Sequence, residues 1–425
     1  MTITIFLGSL LGAMALGVPI AFALLLCGVA LMAHLDMFDA QILAQNVING
    51  ADSFPLLAVP FFILAGEIMN VGGLSRRIVA LAMALVGHVP GGLGYVAIIA
   101  ACLLAALSGS AVADAAALAS LLLPMMTAAG HDRARSAGLI AAAGVIGPVI
   151  PPSIGFIVFG VAANVSISKL FLAGIVPGLM MGLSLWVTWW LVARKEQLRT
   201  PPRKSRAEVL LALRDSLWAL MLPVIILVGL RMGVFTPTEA AVIAAVYALA
   251  VSVLVYREIS PRQVMEVFVS AARTSAIVMF LVAASLVSAW LITVADLPSK
   301  VIELLQPFLD NQTLLLLAIM VLVMVVGTAM DMTPTILILT PVLMPVIKAA
   351  GIDPVYFGVL FIINNAIGLV TPPVGTVLNV VAGVGKVSMD EVTRGVLPFM
   401  IAEFVVMFLM VLFPSIVTVP MGWFY

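Results

Sequence analysis

The segment GPVIPPSIG (residues 147–155) places two adjacent prolines inside a stretch apolar enough to lie in a lipid bilayer. Proline has no backbone N–H and its ring clashes with the preceding turn, so the pair should break any helix that crosses the membrane here. A second such segment, GLVTPPVGT (368–376), follows the first by 221 positions. The recurrence predicts two copies of one broken helix.

The composition is that of a membrane protein. Of 425 residues, 64% are hydrophobic and 9% are charged, whereas a soluble domain carries about 25% charged residues. Apolar stretches of about 20 residues recur, and the short alternating strands of a barrel do not. The sequence therefore predicts an all-α polytopic membrane protein with about 11 spans, surrounded by membrane lipids. The net charge of zero indicates no nucleic-acid partner, and Cys27 and Cys102, far apart in apolar runs, are typical of core residues.

Two apolar regions carry a polar interruption near their middle. The first runs from Leu93 to Leu107, is interrupted by SGS (108–110), and resumes up to LLLPMM (121–126). About 15 helical residues on each side cover only about 22 Å, so we expect a re-entrant hairpin with its tip in the membrane. The second region, 313–347, is interrupted around GTAMDMTPT (327–335) and predicts a second hairpin.

Other segments connect these units. Residues 72–92 and 297–311 are typical of arm helices that lie in the membrane interface. Residues 34–53 are interpreted as a polar connection. The apolar N-terminal run fits either one tilted span or two short ones.

Shifting the sequence by 221 positions aligns the two halves without a gap over more than fifty residues. The matched residues are glycines and prolines, which set backbone geometry. They pair as Pro124 with Pro345, Gly130 with Gly351, Gly147 with Gly368, Pro151 with Pro372, Pro152 with Pro373, Gly174 with Gly395, and Pro177 with Pro398.

The charged linker RKEQLRTPPRKSRAE (194–208) sets the orientation of the halves. Its six basic residues place it in the cytoplasm by the positive-inside rule. Three crossings then separate it from 297–311, so the second hairpin enters from the periplasm, whereas SRR (75–77) and HDRAR (131–135) place the base of the first in the cytoplasm. The copies therefore form an inverted repeat, which is common in secondary transporters, and the C-terminus (Phe424, Tyr425) is predicted to be periplasmic.

The chain also resembles the large membrane subunit of the TRAP (tripartite ATP-independent periplasmic) transporters, in appearance closest to the diketogulonate branch. The resemblance covers essentially the whole chain. It is carried by PFFILAGEIMNVGGLSRRIV, LSGSAVADAAALASLLLPMM, PVIPPSIGFIVFG, GVFTPTEAA, MDMTPTILILTPVLMP and GLVTPPVGTVLNV.

The resemblance implies a sodium-driven elevator that imports a small organic acid (a C4-dicarboxylate, keto acid or sugar acid) across the bacterial inner membrane. It implies two partners, a small four-helix membrane subunit and a soluble periplasmic substrate-binding protein. No cofactor is implied besides Na⁺ as the coupling ion. It divides the chain into scaffold (1–90 and 194–310) and transport domain (91–193 and 311–425).

Two sets of residues are candidate sodium ligands, because hydroxyls and unwound carbonyls at mid-depth can coordinate ions. The first set is Ser108, Gly109, Ser110, Gly147, Ile150 and Pro152; the second is Gly327, Asp331, Gly368, Thr371 and Val374. The alternatives are that small residues only permit close helix packing and that the prolines are only kinks. Asp114 is an ionisable group at membrane depth and so a functional candidate by default; the other interpretation is that it only caps or pairs within the bundle.

The substrate should lie between the two tips. The polar candidates are Ser153, Asn164, Thr333, Thr335, Asn364, Asn365, Thr376 and Asn379, although a buried Asn is often only a helix-to-helix hydrogen bond. Neither tip carries an arginine, so a substrate carboxylate would need helix N-termini or an arginine from elsewhere.

Other functions remain open. A self-sufficient sodium–dicarboxylate symporter of related fold is the main alternative, and a purely structural subunit is another. An intramembrane enzyme and an ATP-driven pump are disfavoured, since the sequence has neither H-E-x-x-H nor G-x-x-x-x-G-K-[ST].

Overall fold

The computed structural model describes residues 2–194, 202–309 and 311–423. Lys195 and Arg199 of the linker and the terminal Phe424 and Tyr425 lie outside these residues. Within them the first half forms ten helices: α1 (Thr2–Ala15), α2 (Ile20–His34), α3 (Ala40–Ala51), α4 (Ala58–Val71), α5 (Leu74–Val86), α6 (Gly92–Ser108), α7 (Ala111–Ala128), α8 (Arg133–Gly144), α9 (Ile154–Ala163) and α10 (Ile167–Ala193).

The second half forms ten more in the same described ranges: α11 (Arg206–Arg231), α12 (Pro237–Ala250), α13 (Pro261–Val294), α14 (Leu297–Leu309), α15 (Gln312–Ala329), α16 (Met332–Ala349), α17 (Pro354–Gly368), α18 (Thr376–Gly385), α19 (Met389–Leu412) and α20 (Ser415–Trp423). Nine segments of the described chain are long and apolar enough to cross a membrane, and shorter apolar helices accompany them. The prediction of an all-α polytopic membrane protein is confirmed.

The helices repeat with the offset seen in the sequence. Both bounds of α7 shift by 221 onto those of α16, and Ser110 and Asp331 are the N-caps of these two helices. The pairs α6 and α15, α8 and α17, α9 and α18, and α10 and α19 correspond in the same way. Each half therefore carries one hairpin (α6–α7 or α15–α16) and one broken helix (α8–α9 or α17–α18).

The contacts along α19 show that the copies are inverted. The start of α19 lies against the start of α8, since a Cβ on Gly395 would meet the Ala134 backbone. Its far end lies against the start of α17, where the Tyr356 hydroxyl donates to the Met410 carbonyl at 2.8 Å. Gly395 and Met410 are about 22 Å apart along the helix. The equivalent helices α8 and α17 thus begin at opposite ends of one straight element.

The core lies where the two halves cross. Helix α7 packs against α18, and its counterpart α16 packs against α9. Each hairpin therefore packs against the broken helix of the other half. Aromatic side chains fill the centre, with Phe159 in ring contact with Phe357 and Phe361 at 6.2 and 5.6 Å. Helices of the two halves also pack on each other elsewhere, with α4 on α12 and α2 on α13.

Two details of the N-terminal region bear on the sequence analysis. The first corrects one interpretation, and the second decides between two alternatives. The interpretation of 34–53 as a connection was wrong: Asp39 caps α3 by accepting from the backbone N–H of Gln41 and Ile42. Gly50 brings α3 close to Ala283 of α13. The N-terminal run forms two short helices, because Gly17 takes a left-handed conformation (φ +80°) shortly before Pro19. The division into scaffold and transport domain stays a prediction.

The inversion predicts where the C-terminus lies. The start of α19 shares a face with α8 and with the end of α10, next to the basic linker, so the end of α19 faces the periplasm. Alkaline phosphatase fused after Tyr425 should be active, and green fluorescent protein at the same point should be dark. The reverse pattern would mean that the second half contains one crossing fewer or more than described.

Candidate functional site

The first hairpin tip closes against the first break. Helix α6 ends at Ser108 because Gly109 takes a left-handed conformation (φ +62°), and Ser110 then caps α7. A Cβ on Gly109 would lie 2.5 Å from the Pro152 carbonyl oxygen, so only glycine fits there without a shift. The tip thus brings Ser108, Gly109 and Ser110 to the break that holds Gly147 and Pro152. We call this the first cleft.

Asp114 turns its carboxylate into the first cleft. The Ser108 hydroxyl donates to Oδ1 of Asp114 at 2.5 Å. The other oxygen, Oδ2, is buried and has no hydrogen-bond partner in the part of the chain that the structure describes, and it would lie 2.6 Å from a Cβ on Gly147. A buried carboxylate oxygen without a donor is costly, so this position suits a bound cation.

The second hairpin tip closes against the second break in a related way. The backbones of Gly327 and Gly368 touch, since a Cβ on Gly368 would lie 2.9 Å from the Gly327 carbonyl carbon. The amide of Gly375 donates to the Thr328 carbonyl at 3.3 Å. Oδ1 of Asn365 is buried, has no hydrogen-bond partner among the described residues, and faces Gly327. Thr371 and Val374 follow Gly368 along the same break, where the Thr371 hydroxyl donates to the Ile367 carbonyl. We call this region the second cleft.

A cavity of about 290 Å³ lies between the two tips and the helices α4 and α13. This is close to the lower end of small-molecule sites, about 300–1,000 Å³. Helices α4 and α13 contribute Glu67, Asn70 and Thr274, and the tips contribute the remaining polar side chains: Ser108, Ser110, Asp331 and Thr333. Most of these groups accept hydrogen bonds, and several also donate them, which suits a hydroxylated molecule.

Three helices begin at this cavity. The first turns of α7 (residues 111–113), α9 (154–155) and α16 (332–333) all line it. The first-turn N–H groups and the positive dipole end of each helix favour an anion. No basic side chain lines the cavity within the described chain. Arg273 directly precedes the lining residue Thr274 in the sequence. It lines an adjoining depression that shares Thr274 with the cavity.

The comparison with known families identifies the chain. A family model described as the tripartite ATP-independent periplasmic transporter, DctM component, matches residues 7–416. The chain belongs to the DctM family. It is therefore a TRAP transporter permease of the bacterial inner membrane, as the sequence resemblance predicts.

Curated relatives of this DctM chain differ in substrate. It is 57% identical, over the full length of both chains, to the 2,3-diketo-L-gulonate TRAP transporter large permease protein YiaN of Escherichia coli K12. It is 39% identical to the sialic acid TRAP transporter large permease protein SiaM of Vibrio cholerae, over 95% of each chain. It is 37% identical to the C4-dicarboxylate TRAP transporter large permease protein DctM of Pseudomonas aeruginosa, over 88% of each chain.

A solved structure supports the fold of the DctM chain. The YdaH transporter of Alcanivorax borkumensis superposes with a TM-score of 0.67 over 91% of this chain and 90% of that one, at 17% identity. At this identity the similarity speaks to the fold alone.

The structure separates the predicted site residues into groups. Ser108, Gly109, Ser110, Asp331 and Thr333 line the cavity, while Gly147, Ile150 and Pro152 lie at the first break and Gly327, Gly368, Thr371 and Val374 at the second cleft. The other predicted substrate residues are absent from the described cavity lining: Ser153, Asn164, Thr335, Asn364, Asn365, Thr376 and Asn379.

Most of those seven residues have a structural partner instead. Ser153 caps α9 through the Phe156 amide, and Asn379 donates to the Val374 carbonyl. Asn364 and Asn365 are 0% exposed and donate to the carbonyls of Met320 and Met332 in the second hairpin. These contacts hold the tips and breaks together. Asn164 lies elsewhere, at a surface depression beside the end of α9.

Proposed function

We propose that the chain is the large permease of a sodium-coupled TRAP importer for a hydroxylated sugar acid of the 2,3-diketo-L-gulonate type. The observation that carries the proposal is the cavity between the two tips, which touches the first cleft through Ser108 and Ser110. A substrate there would contact the transport domain on one side and the scaffold on the other.

The substrate class is supported by two features. The full-length relative at 57% identity is named for 2,3-diketo-L-gulonate, a carboxylate with several hydroxyl and keto groups. The cavity pairs three helix N-termini, which suit a carboxylate, with the acceptors Glu67, Asn70 and Asp331, which suit hydroxyls. A simple C4-dicarboxylate has no hydroxyl group to donate to them.

Sodium coupling is supported by the two clefts. Oδ2 of Asp114 faces Gly147 at the first break, Oδ1 of Asn365 faces Gly327 in the second hairpin, and neither oxygen has a hydrogen-bond partner among the described residues. Sodium binds neutral and anionic oxygens, and an ion in either cleft would hold a hairpin tip against its broken helix. The elevator motion then follows as movement of the two hairpins and broken helices past α4 and α13.

The tripartite family predicts dependence on partners. Vesicles that contain this chain alone, with a sodium gradient, should take up little 2,3-diketo-L-gulonate. Adding the small membrane subunit and the periplasmic binding protein should restore uptake. Robust uptake by the chain alone would instead support the self-sufficient symporter. If only a C4-dicarboxylate enters the complete system, the proposed substrate class is wrong.

A further inference from the structure

Glu403 is a buried carboxyl that the clefts and the cavity do not use. It lies on α19, is 0% exposed, and neither Oε1 nor Oε2 has a hydrogen-bond partner within the described chain. The other buried carboxyl, Asp114, has the Ser108 hydroxyl and faces a cleft. Glu403 has no such arrangement.

Its counterpart in the first half indicates which side chains lie around Glu403. Glu403 corresponds to Gly182 in the first half, where a Cβ would point toward Cys102 and Ile146. Their counterparts are Val323 on α15 and Ile367 on α17. Both are buried and apolar. The position therefore offers Glu403 neither a hydrogen-bond donor nor the several oxygens that a metal ion needs.

Charged and titratable groups on the helices packed around α19 lie at the helix ends. They are His131, Asp132, Arg133 and Arg135 at the start of α8, Lys169 and Arg194 at the two ends of α10, Asp353 and Tyr356 at the start of α17, Lys386 after α18, and Asp390, Glu391 and Arg394 in the first two turns of α19 itself. Arg394 is about 13 Å away along the helix and pairs with Asp390. The Tyr356 hydroxyl already donates to Met410. None of these groups neutralises a carboxylate at mid-helix.

We propose that Glu403 is a proton-binding site in the transport domain. An ionised carboxyl in an apolar, fully buried position is strongly disfavoured, so the group takes up a proton and becomes a neutral acid. The neutral acid lets α19 pack against α8, α10 and α17. Loss of the proton would place an unpaired charge at the back of the second broken helix, so the packing of α19 becomes sensitive to alkaline pH.

Infrared spectroscopy of the purified protein tests the site without any substrate, so the result does not depend on the proposed function. At neutral pH the wild type should show a protonated-carboxyl band, part of which disappears in both Glu403→Gln and Glu403→Met. The matched control is Glu391→Gln, on the exposed first turn of the same helix, which should leave the band unchanged.

Thermal unfolding across pH gives a second readout. The wild type should lose stability on going from neutral to alkaline pH, and the two neutral variants should lose less. An unchanged infrared band in both variants would overturn the proposal. So would failure of both neutral variants to fold, because a site occupied by a neutral acid should accept a neutral side chain of similar size.

Discussion

Gly368→Ala is expected to lower sodium-dependent uptake by about 5- to 150-fold, because overpacking costs roughly 1–3 kcal/mol and each 1.4 kcal/mol is about tenfold. The added Cβ would lie 2.9–3.2 Å from the carbonyl carbon, Cα and oxygen of Gly327. Those are backbone atoms, which cannot turn aside as a side chain can. The second tip would be forced away from its break, and the carbonyls that form the second cleft would separate.

The matched control is Gly383→Ala on α18. Gly368 is the last residue of α17 and Gly383 lies within α18, but a Cβ on Gly383 would meet nothing within 4 Å. Uptake and expression of this variant should match the wild type. If Gly368→Ala keeps the wild-type sodium curve while folded, the second break is a packing feature without an ion.

Asp114→Asn is expected to raise the sodium concentration for half-maximal uptake about tenfold or more, because interactions with charged groups are worth about 1.5–3 kcal/mol. The amide keeps the shape and accepts from the Ser108 hydroxyl through its oxygen. It removes the charge and replaces the unpartnered Oδ2 with a group that donates. The measurement is substrate uptake against sodium concentration in the assembled transporter.

Asp132→Asn is the control for charge alone. Asp132 caps α8 through the Arg135 amide, and asparagine caps a helix about as well. Its sodium curve should not move. Should Asp114→Asn lower the unfolding temperature and leave the sodium curve in place, Asp114 only pairs within the hairpin, which was the other interpretation of the sequence.

Backbone geometry could be predicted from the sequence because glycine and proline act locally. The pairs Gly147 with Gly368 and Pro152 with Pro373 give the repeat, and the interruption at Ser108–Ser110 gives the hairpin. Basic residues in the connections give the inversion. Each of these signals depends on a residue and its near neighbours, so no knowledge of the packing is needed.

Side-chain direction could not be predicted in this way. Asp114 faces the first cleft only because one helical turn separates it from the tip and Ser108 reaches back to it. Asn364 and Asn365 face the second hairpin rather than the cavity, because α17 packs on α15. Glu67, Asn70 and Thr274 line the cavity from α4 and α13. Nothing in the sequence around them indicates that these helices pass beside the hairpin tips. Contacts between halves are set by the three-dimensional fold.

Measuring the coupling between sodium and substrate tests the central claim, that the two mirrored breaks are ion sites tied to the cavity. The affinity of the assembled transporter for 2,3-diketo-L-gulonate should rise with sodium by a factor of about 5–150, as is typical of linked sites. Gly368→Ala should reduce that factor toward one, and Gly383→Ala should keep it. A substrate affinity that is the same with and without sodium, or a factor unchanged in Gly368→Ala, would contradict the account.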